Sequence, residues 1–180
     1  MNFLNRYSKT FQILLTEPRQ VIDSFLKTDD SPYTHPLLFC LAGAFAVILM
    51  NTLILDFNFE LVAEDVPSDS ETVRQMAEWI QVVSVRASTQ FLPVSLILFG
   101  IASLSLGAIL FMRDFTDGFF DHLIINSYSV GVAIIGLFIL IPIWGFSGFS
   151  FTNSIVNSTI PAIIIAGIIL WVYSLYFRPS

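Results

Sequence analysis

"FLPVSLILFGIASLSLGAILFMRDFTDGFFDHLIINSYSVGVAIIGLFILIPIW", residues 91–144, is two oily runs joined by a charged decapeptide. The first run is Phe91 to Met112 and the second is about Leu123 to Trp144, and neither contains Asp, Glu, Lys or Arg. About 20 apolar residues, rising 1.5 Å each, cross the hydrocarbon of a bilayer. The link at 113–122 holds Arg113, Asp114, Asp117, Asp121 and His122. An Arg or Asp at mid-membrane costs about 2.5–3.5 kcal/mol, so this cluster belongs outside the membrane. Two further charge-free runs, Leu37–Leu55 and Ile160–Phe177, repeat the pattern. Lipid admits only helices and closed barrels, because every backbone polar group must be paired internally. The runs lack the period-2 alternation of barrel strands. The expected fold is an all-α integral membrane four-helix bundle, a single membrane domain over 1–180, with spans at about 37–55, 91–112, 123–144 and 160–177.

Composition agrees with that reading. The chain is 55% hydrophobic and only 12% charged, whereas a soluble domain carries about 25% charged residues. A net charge of −6 argues against nucleic acid, which needs a basic face. Cys40 is the only cysteine. It therefore forms no intrachain disulfide, and its apolar neighbours make it a small packing residue. The first 36 residues contain no apolar core of the secretory type, so the mature and translated chains are expected to be the same.

Lysines and arginines orient the spans. Four crossings put both termini on one side, with Arg6, Lys9, Arg19, Lys27, Arg113 and Arg178 against Arg74 and Arg86 on the other. Both termini and the 113–122 link are expected in the cytoplasm, and loops 56–90 and 145–159 outside. The expected location is a bacterial inner membrane.

Two segments outside the spans carry apolar stripes. Residues 1–36 form a cytoplasmic amphipathic segment in which Phe3, Leu4, Tyr7, Phe11, Leu14, Leu15, Pro18, Val21, Ile22, Phe25 and Leu26 recur at spacings of 3 and 4. This stripe predicts a helix lying in the cytoplasmic interface, or a lid packed on the bundle. Thr16-Glu17-Pro18 predicts a break near residue 16 and a second helix after it. In the external loop, Ser68 and Glu71 read as a capping box. After them Val73, Met76, Ala77, Ile80, Val83 and Ala87 share one helical face, running toward Pro93. The uncharged loop "GFSGFSFTNSIVNS" is expected to dip into the interface or pack beneath this helix. Trp144, Trp171, Tyr173 and Tyr176 read as interface anchors.

Topology and turn chemistry account for most of the 113–122 cluster. Arg113 anchors the end of a span, Asp117-Gly118 is a turn pair, and Asp121 faces the dipole at a helix start. His122 and His35 begin parallel spans at one membrane face, so a two-histidine set with Asp121 or Asp117 is geometrically conceivable, as a metal or haem site or a pH-sensitive pair. A metal site needs three or four ligands, and the expectation is a wet link with no metal and no cofactor. Within the spans, Asn51, Ser103, Ser105, Asn126, Ser127, Tyr128 and Ser129 are too few and too neutral for an ion path. They read as interhelical hydrogen-bonding groups. His35, Asp121, His122, Asn126 and Tyr128 are the positions where an interaction or function would show. Small residues pair at packing distance in Ala42/Ala46, Ser103/Gly107, Ser127/Gly131 and Ala162/Ala166. No nucleophile–base pair, phosphate loop or HExxH is present, so no enzyme is expected.

"LLTEPRQVIDSFL", "SPYTHPLLF" and "DHLIINSY" together resemble stretches of bacterial small membrane proteins of unknown function, distantly similar to the Yip (Ypt/Rab-interacting) family. The resemblance covers the frame of the chain loosely and about 30 residues with any specificity. It implies a membrane adaptor or accessory protein and no more; the expected partners are membrane lipid and either other proteins or further copies of the chain. The chain lacks the cysteine-rich ribbon of some relatives, and its four spans depart from the five of eukaryotic Yip proteins. The alternative is a component of a small-solute or ion transporter or channel.

Overall fold

The computed structural model describes residues 2–27, 31–57, 70–112, 118–147 and 159–178. Apart from the connection at 31–35 and the ends of the segments these are helical, with no strand among them. The elements are α1 (Phe3–Thr16), α2 (Pro18–Lys27), α3 (Pro36–Phe57), α4 (Glu71–Ser95), a π-helical turn (Leu96–Gly100), α5 (Ile101–Met112), α6 (Phe119–Ser147) and α7 (Ile160–Tyr176). Three apolar stretches are long enough to cross a membrane: Pro36–Leu53, Phe91–Phe111 and Phe119–Ile143. The fourth expected span is the shorter apolar α7, of 17 residues, which rises about 25 Å.

α6 is the centre. Of its apolar stretch 67% is buried within the protein, against 11% for Phe91–Phe111. α3 packs along it in parallel: Thr34 meets Tyr128, Cys40 meets Ser127, and Gly43 meets Ile134. The closest approach is at Gly131, where an added Cβ would stand 2.5 Å from the Phe39 ring. Only a glycine admits that ring. α7 runs antiparallel to α6, with Tyr173 against Asn126 and Ile168 against Gly136. α3 shows how the sequence divides itself. Phe39, Cys40, Ala44 and Val47 face α6, while Leu38, Leu41, Phe45 and Leu49 are exposed on the far side. An apolar exposed face at helical spacing is what a helix bordering lipid requires.

α4, the π turn and α5 form one uninterrupted helical path from Glu71 to Met112. Pro93 has no N–H to give the helix, and the wide turn follows it, with Ile101 N donating to Leu96 O. Ser95 Oγ donates to Leu92 O (2.9 Å), a carbonyl that also accepts from Leu96 N. Glu71 lies in the first turn and pairs with Arg74 at 2.7 Å. Ser70 takes the N-cap position. The Ser68 half of the expected capping box, the loop at 148–158, and Arg113, Asp114 and Asp117 fall outside the described residues.

Three expectations change. First, the break at residue 16 is present, but the N-terminal stripe packs on protein instead of lying wholly in the lipid interface. Leu14, Val21 and Ile22 are fully buried in one cluster with Ile125, Tyr128, Val172 and Tyr176. Only the start of α1, Phe3 and Leu4, keeps an exposed apolar surface. Second, α6 begins at Phe119, so Asp121 and His122 are helical residues and His122 is 1% exposed; it belongs to the bundle and not to a wet link. Third, Tyr173 and Tyr176 turn inward to partners on α6 and α2, while Trp171 stays exposed.

Gly131→Val should be the most damaging replacement of a small residue in the spans. Its branches would overlap Phe39, and overpacking of this kind costs about 1–3 kcal/mol. The check is unfolding in mild detergent with increasing SDS, followed by tryptophan fluorescence. Gly107→Ala, where an added Cβ meets nothing within 4 Å, should leave the midpoint unchanged.

Candidate functional site

The polar residues of the spans converge on the end of α6 near its start. Asn126 is fully buried. Its Nδ2 donates to Ser105 Oγ on α5 (3.0 Å), and its Oδ1 accepts from Tyr173 OH on α7 (2.6 Å). Ser105 Oγ in turn donates to Ile101 O (2.7 Å). One side chain thus ties three helices together, in a medium that offers no water as a substitute partner. Tyr128, two residues along and on another face, donates to Thr34 O at 2.8 Å, fixing the chain where it turns into α3. Cys40 Sγ donates to Ser127 O. Ser127 and Ser129 bond back to carbonyls one turn earlier in their own helix.

The N-terminal layer is stapled to this end of the molecule by polar contacts. Tyr7 OH donates to Phe39 O (3.2 Å), and burial, with the nearby Cys40, pushes the Tyr7 phenol above its ordinary pKa. It therefore stays protonated and remains a donor. Arg6 Nε donates to Pro32 O (3.1 Å) and Arg6 Nη2 to Ser31 O. Thr10 Oγ1 accepts from Thr34 N (2.9 Å) while donating to Arg6 O. Tyr176 OH donates to Asp23 on α2, which also pairs with Lys27 at 2.8 Å.

The five positions singled out from sequence separate into two groups. Asn126 and Tyr128 are structural hubs. His35 is exposed and stands edge-to-face against Phe25, ring centres 4.9 Å apart, whereas His122 is buried and Asp121 half-buried in the first turn of α6. No group of three or more His, Cys, Asp or Glu stands close enough to share a metal among the described residues. Ser105, read from sequence as an interhelical hydrogen-bonding group, accepts from Asn126. Sequence reasoning missed Thr10 and Thr34 as members of the polar framework and read Tyr173 as an interface anchor. Their partners lie 24 to 94 positions away, and no spacing rule reaches that far.

Two apolar cavities lie between α5 and α7. One of about 640 Å³ is lined by Leu96, Gly100, Pro161, Ala162 and Ile165 among others. The other, about 350 Å³, lies by Gly107, Phe111, Asn126 and Tyr173. The pairs Ser103/Gly107 and Ala162/Ala166 line these gaps, unlike Ser127/Gly131, which is packed against α3. No family model, no curated protein and no solved structure matches this chain.

Asn126→Ala should lower unfolding free energy in detergent by about 1–2 kcal/mol, since a membrane interhelical hydrogen bond averages about 0.6 kcal/mol and a cavity term adds to the two lost. Tyr173→Phe, which removes one bond and keeps the ring, should cost about 0.6 kcal/mol. A double-mutant cycle between the two should show coupling; additive losses would mean that the bond contributes nothing. Elemental analysis of purified protein should find no stoichiometric zinc or iron, and chelators should leave the thermal midpoints of parent and His122→Ala unchanged.

Proposed function

We propose that this chain is a non-enzymatic integral membrane protein that works through protein partners, as an adaptor or accessory subunit. The observation that supports this is the outward face of α4. Val73, Met76, Trp79, Ile80 and Val83 are all exposed, on a helix that continues about 30 Å beyond the apolar stretch starting at Phe91. Isolated surface hydrophobes need no explanation, but a contiguous apolar row marks an interaction site. The membrane interior offers little to a competing transport reading. The buried polar groups of the framework bond to one another, and the cavities between α5 and α7 are apolar, so no continuous polar path is formed by the described residues. The resemblance to Yip-type membrane proteins points the same way.

The topology proposed with this function has four crossings, α7 being the fourth, and both termini in the cytoplasm of a bacterial inner membrane. Parallel α3 and α6 and antiparallel α7 are compatible with alternating crossings. The six-to-two division of Lys and Arg supplies the orientation. On a Cys40→Ala background, a membrane-impermeant thiol reagent should label Ser70→Cys and Asn153→Cys from outside and leave Ser180→Cys unlabelled. Labelling of Ser180→Cys without Ser70→Cys would invert the assignment.

A photo-crosslinking amino acid at Met76 or Ile80, in intact membranes, should give discrete protein adducts, and the same probe at Glu78 should not. A second copy of this chain as the adduct would identify a homo-oligomer. Solute or ion flux in vesicles containing only this protein, abolished by Asn126→Ala, would instead establish the transport reading.

A further inference from the structure

We propose that the corner where α1 meets the start of α3 is a binding site for the phosphate headgroup of an anionic membrane phospholipid. A cavity of about 320 Å³ lies there, walled by Phe3, Arg6, Phe25, Tyr33, Thr34 and His35, with Ser31 and Leu38 completing it. Its two ends differ in chemistry. Leu38 begins the exposed apolar stripe of α3 that continues through Leu41, Phe45 and Leu49, and Phe3 is exposed beside it. An acyl chain against this stripe leads to the cavity mouth.

The other end is cationic. Arg6 spends Nε and Nη2 on the carbonyls of Pro32 and Ser31. Those bonds orient the guanidinium without neutralising it, and among the described residues no carboxylate pairs with Arg6. A planar guanidinium held in this way presents its remaining N–H donors as a fork suited to phosphate oxygens. Lys9 stands over the Tyr33 ring, 5.7 Å from its centre, and pairs with no carboxylate among the described residues. His35 is exposed at the same wall, held edge-on by Phe25. Thr34, 2% exposed, contributes a hydroxyl that finds no hydrogen-bond partner among the described residues. Cations where a membrane helix meets the surface attract anionic lipid. Here Arg6 and His35 line the cavity at the top of an exposed apolar stripe, with Lys9 over the adjoining Tyr33 ring, so the phosphate is recognised where its acyl chains already have a surface.

The test is native mass spectrometry of the detergent-solubilised full chain, titrated with phosphatidylglycerol or phosphatidylcholine, with thermal midpoints measured in parallel, including in inorganic phosphate. The parent should retain phosphatidylglycerol in preference to phosphatidylcholine and gain thermal stability from it. Removing a cation should weaken retention by about fivefold, as expected for one Lys or Arg at a membrane surface. Arg6→Gln also frees the carbonyls of Ser31 and Pro32, so Lys9→Gln and His35→Ala, which break no described hydrogen bond, carry the same question in a folded protein. Arg178→Gln, at a residue that lines a separate cavity with Glu17 and Arg19 at the same end of the molecule, should retain lipid as the parent does. Equal retention of the two lipids would overturn headgroup recognition, as would unchanged retention in Lys9→Gln and His35→Ala. Stabilisation by inorganic phosphate equal to that by phosphatidylglycerol would assign the site to a soluble anion and overturn the lipid.

Discussion

The contact between the Phe39 ring and the bare face of Gly131 sets the separation of α3 and α6, and the other positions follow from it. With the two backbones that close, Cys40 can reach the Ser127 carbonyl and Gly43 can lie against Ile134. Lipid provides no hydrophobic pressure to bring helices together, because its tails are as apolar as leucine. Shape and dispersion must do it, and a glycine opposite an aromatic ring supplies both. The same contact fixes the height of Tyr7, whose hydroxyl reaches the Phe39 carbonyl, so the N-terminal layer is referenced to the innermost helix pair.

Hydrogen bonds then discriminate among the arrangements that packing alone would allow. Asn126 engages α5 and α7 together. α5 is otherwise weakly held, with most of its span surface directed away from the protein and cavities separating it from α7. A single polar tie on a loosely packed helix makes position sensitive to one residue. It also leaves Gly100, Ser103, Ala162 and Ala166 facing open space, where small side chains in a membrane usually admit a neighbouring backbone.

The two ends of the molecule differ in surface chemistry. At the end bearing α1 and α2, Arg6 and Thr10 are hydrogen-bonded to the backbone of Ser31, Pro32 and Thr34, which holds a guanidinium beside the start of α3. At the other end α4 carries an apolar row that stays exposed among the described residues. That contrast is why lipid recognition is assigned to the first end and protein contact to the second.

The sequence by itself determined that the chain is helical and made for a membrane. Charge-free runs of about 20 residues have no other stable solution, because lipid cannot satisfy backbone groups. It also placed the break before Pro18 and the passage of α4 toward Pro93, since proline acts locally through its missing N–H and its fixed φ. It marked Asn126 and Tyr128 as unusual, being polar groups in apolar runs, but not what they hold. Only the tertiary structure decided that. Whether the N-terminal stripe meets lipid or protein depends on the complementary surface offered by α6 and α7, and amphipathicity is the same in both cases. Whether Tyr173 faces a headgroup or Asn126 depends on the rotation of α7, which is set by Gly136 and Ile168 across the interface. His122 reads as part of a charged link because its neighbours in sequence are charged, yet α6 starts at Phe119 and turns it inward. Rotation about a helix axis is a long-range property, fixed by contacts between residues far apart in the chain, and local spacing carries no information about it.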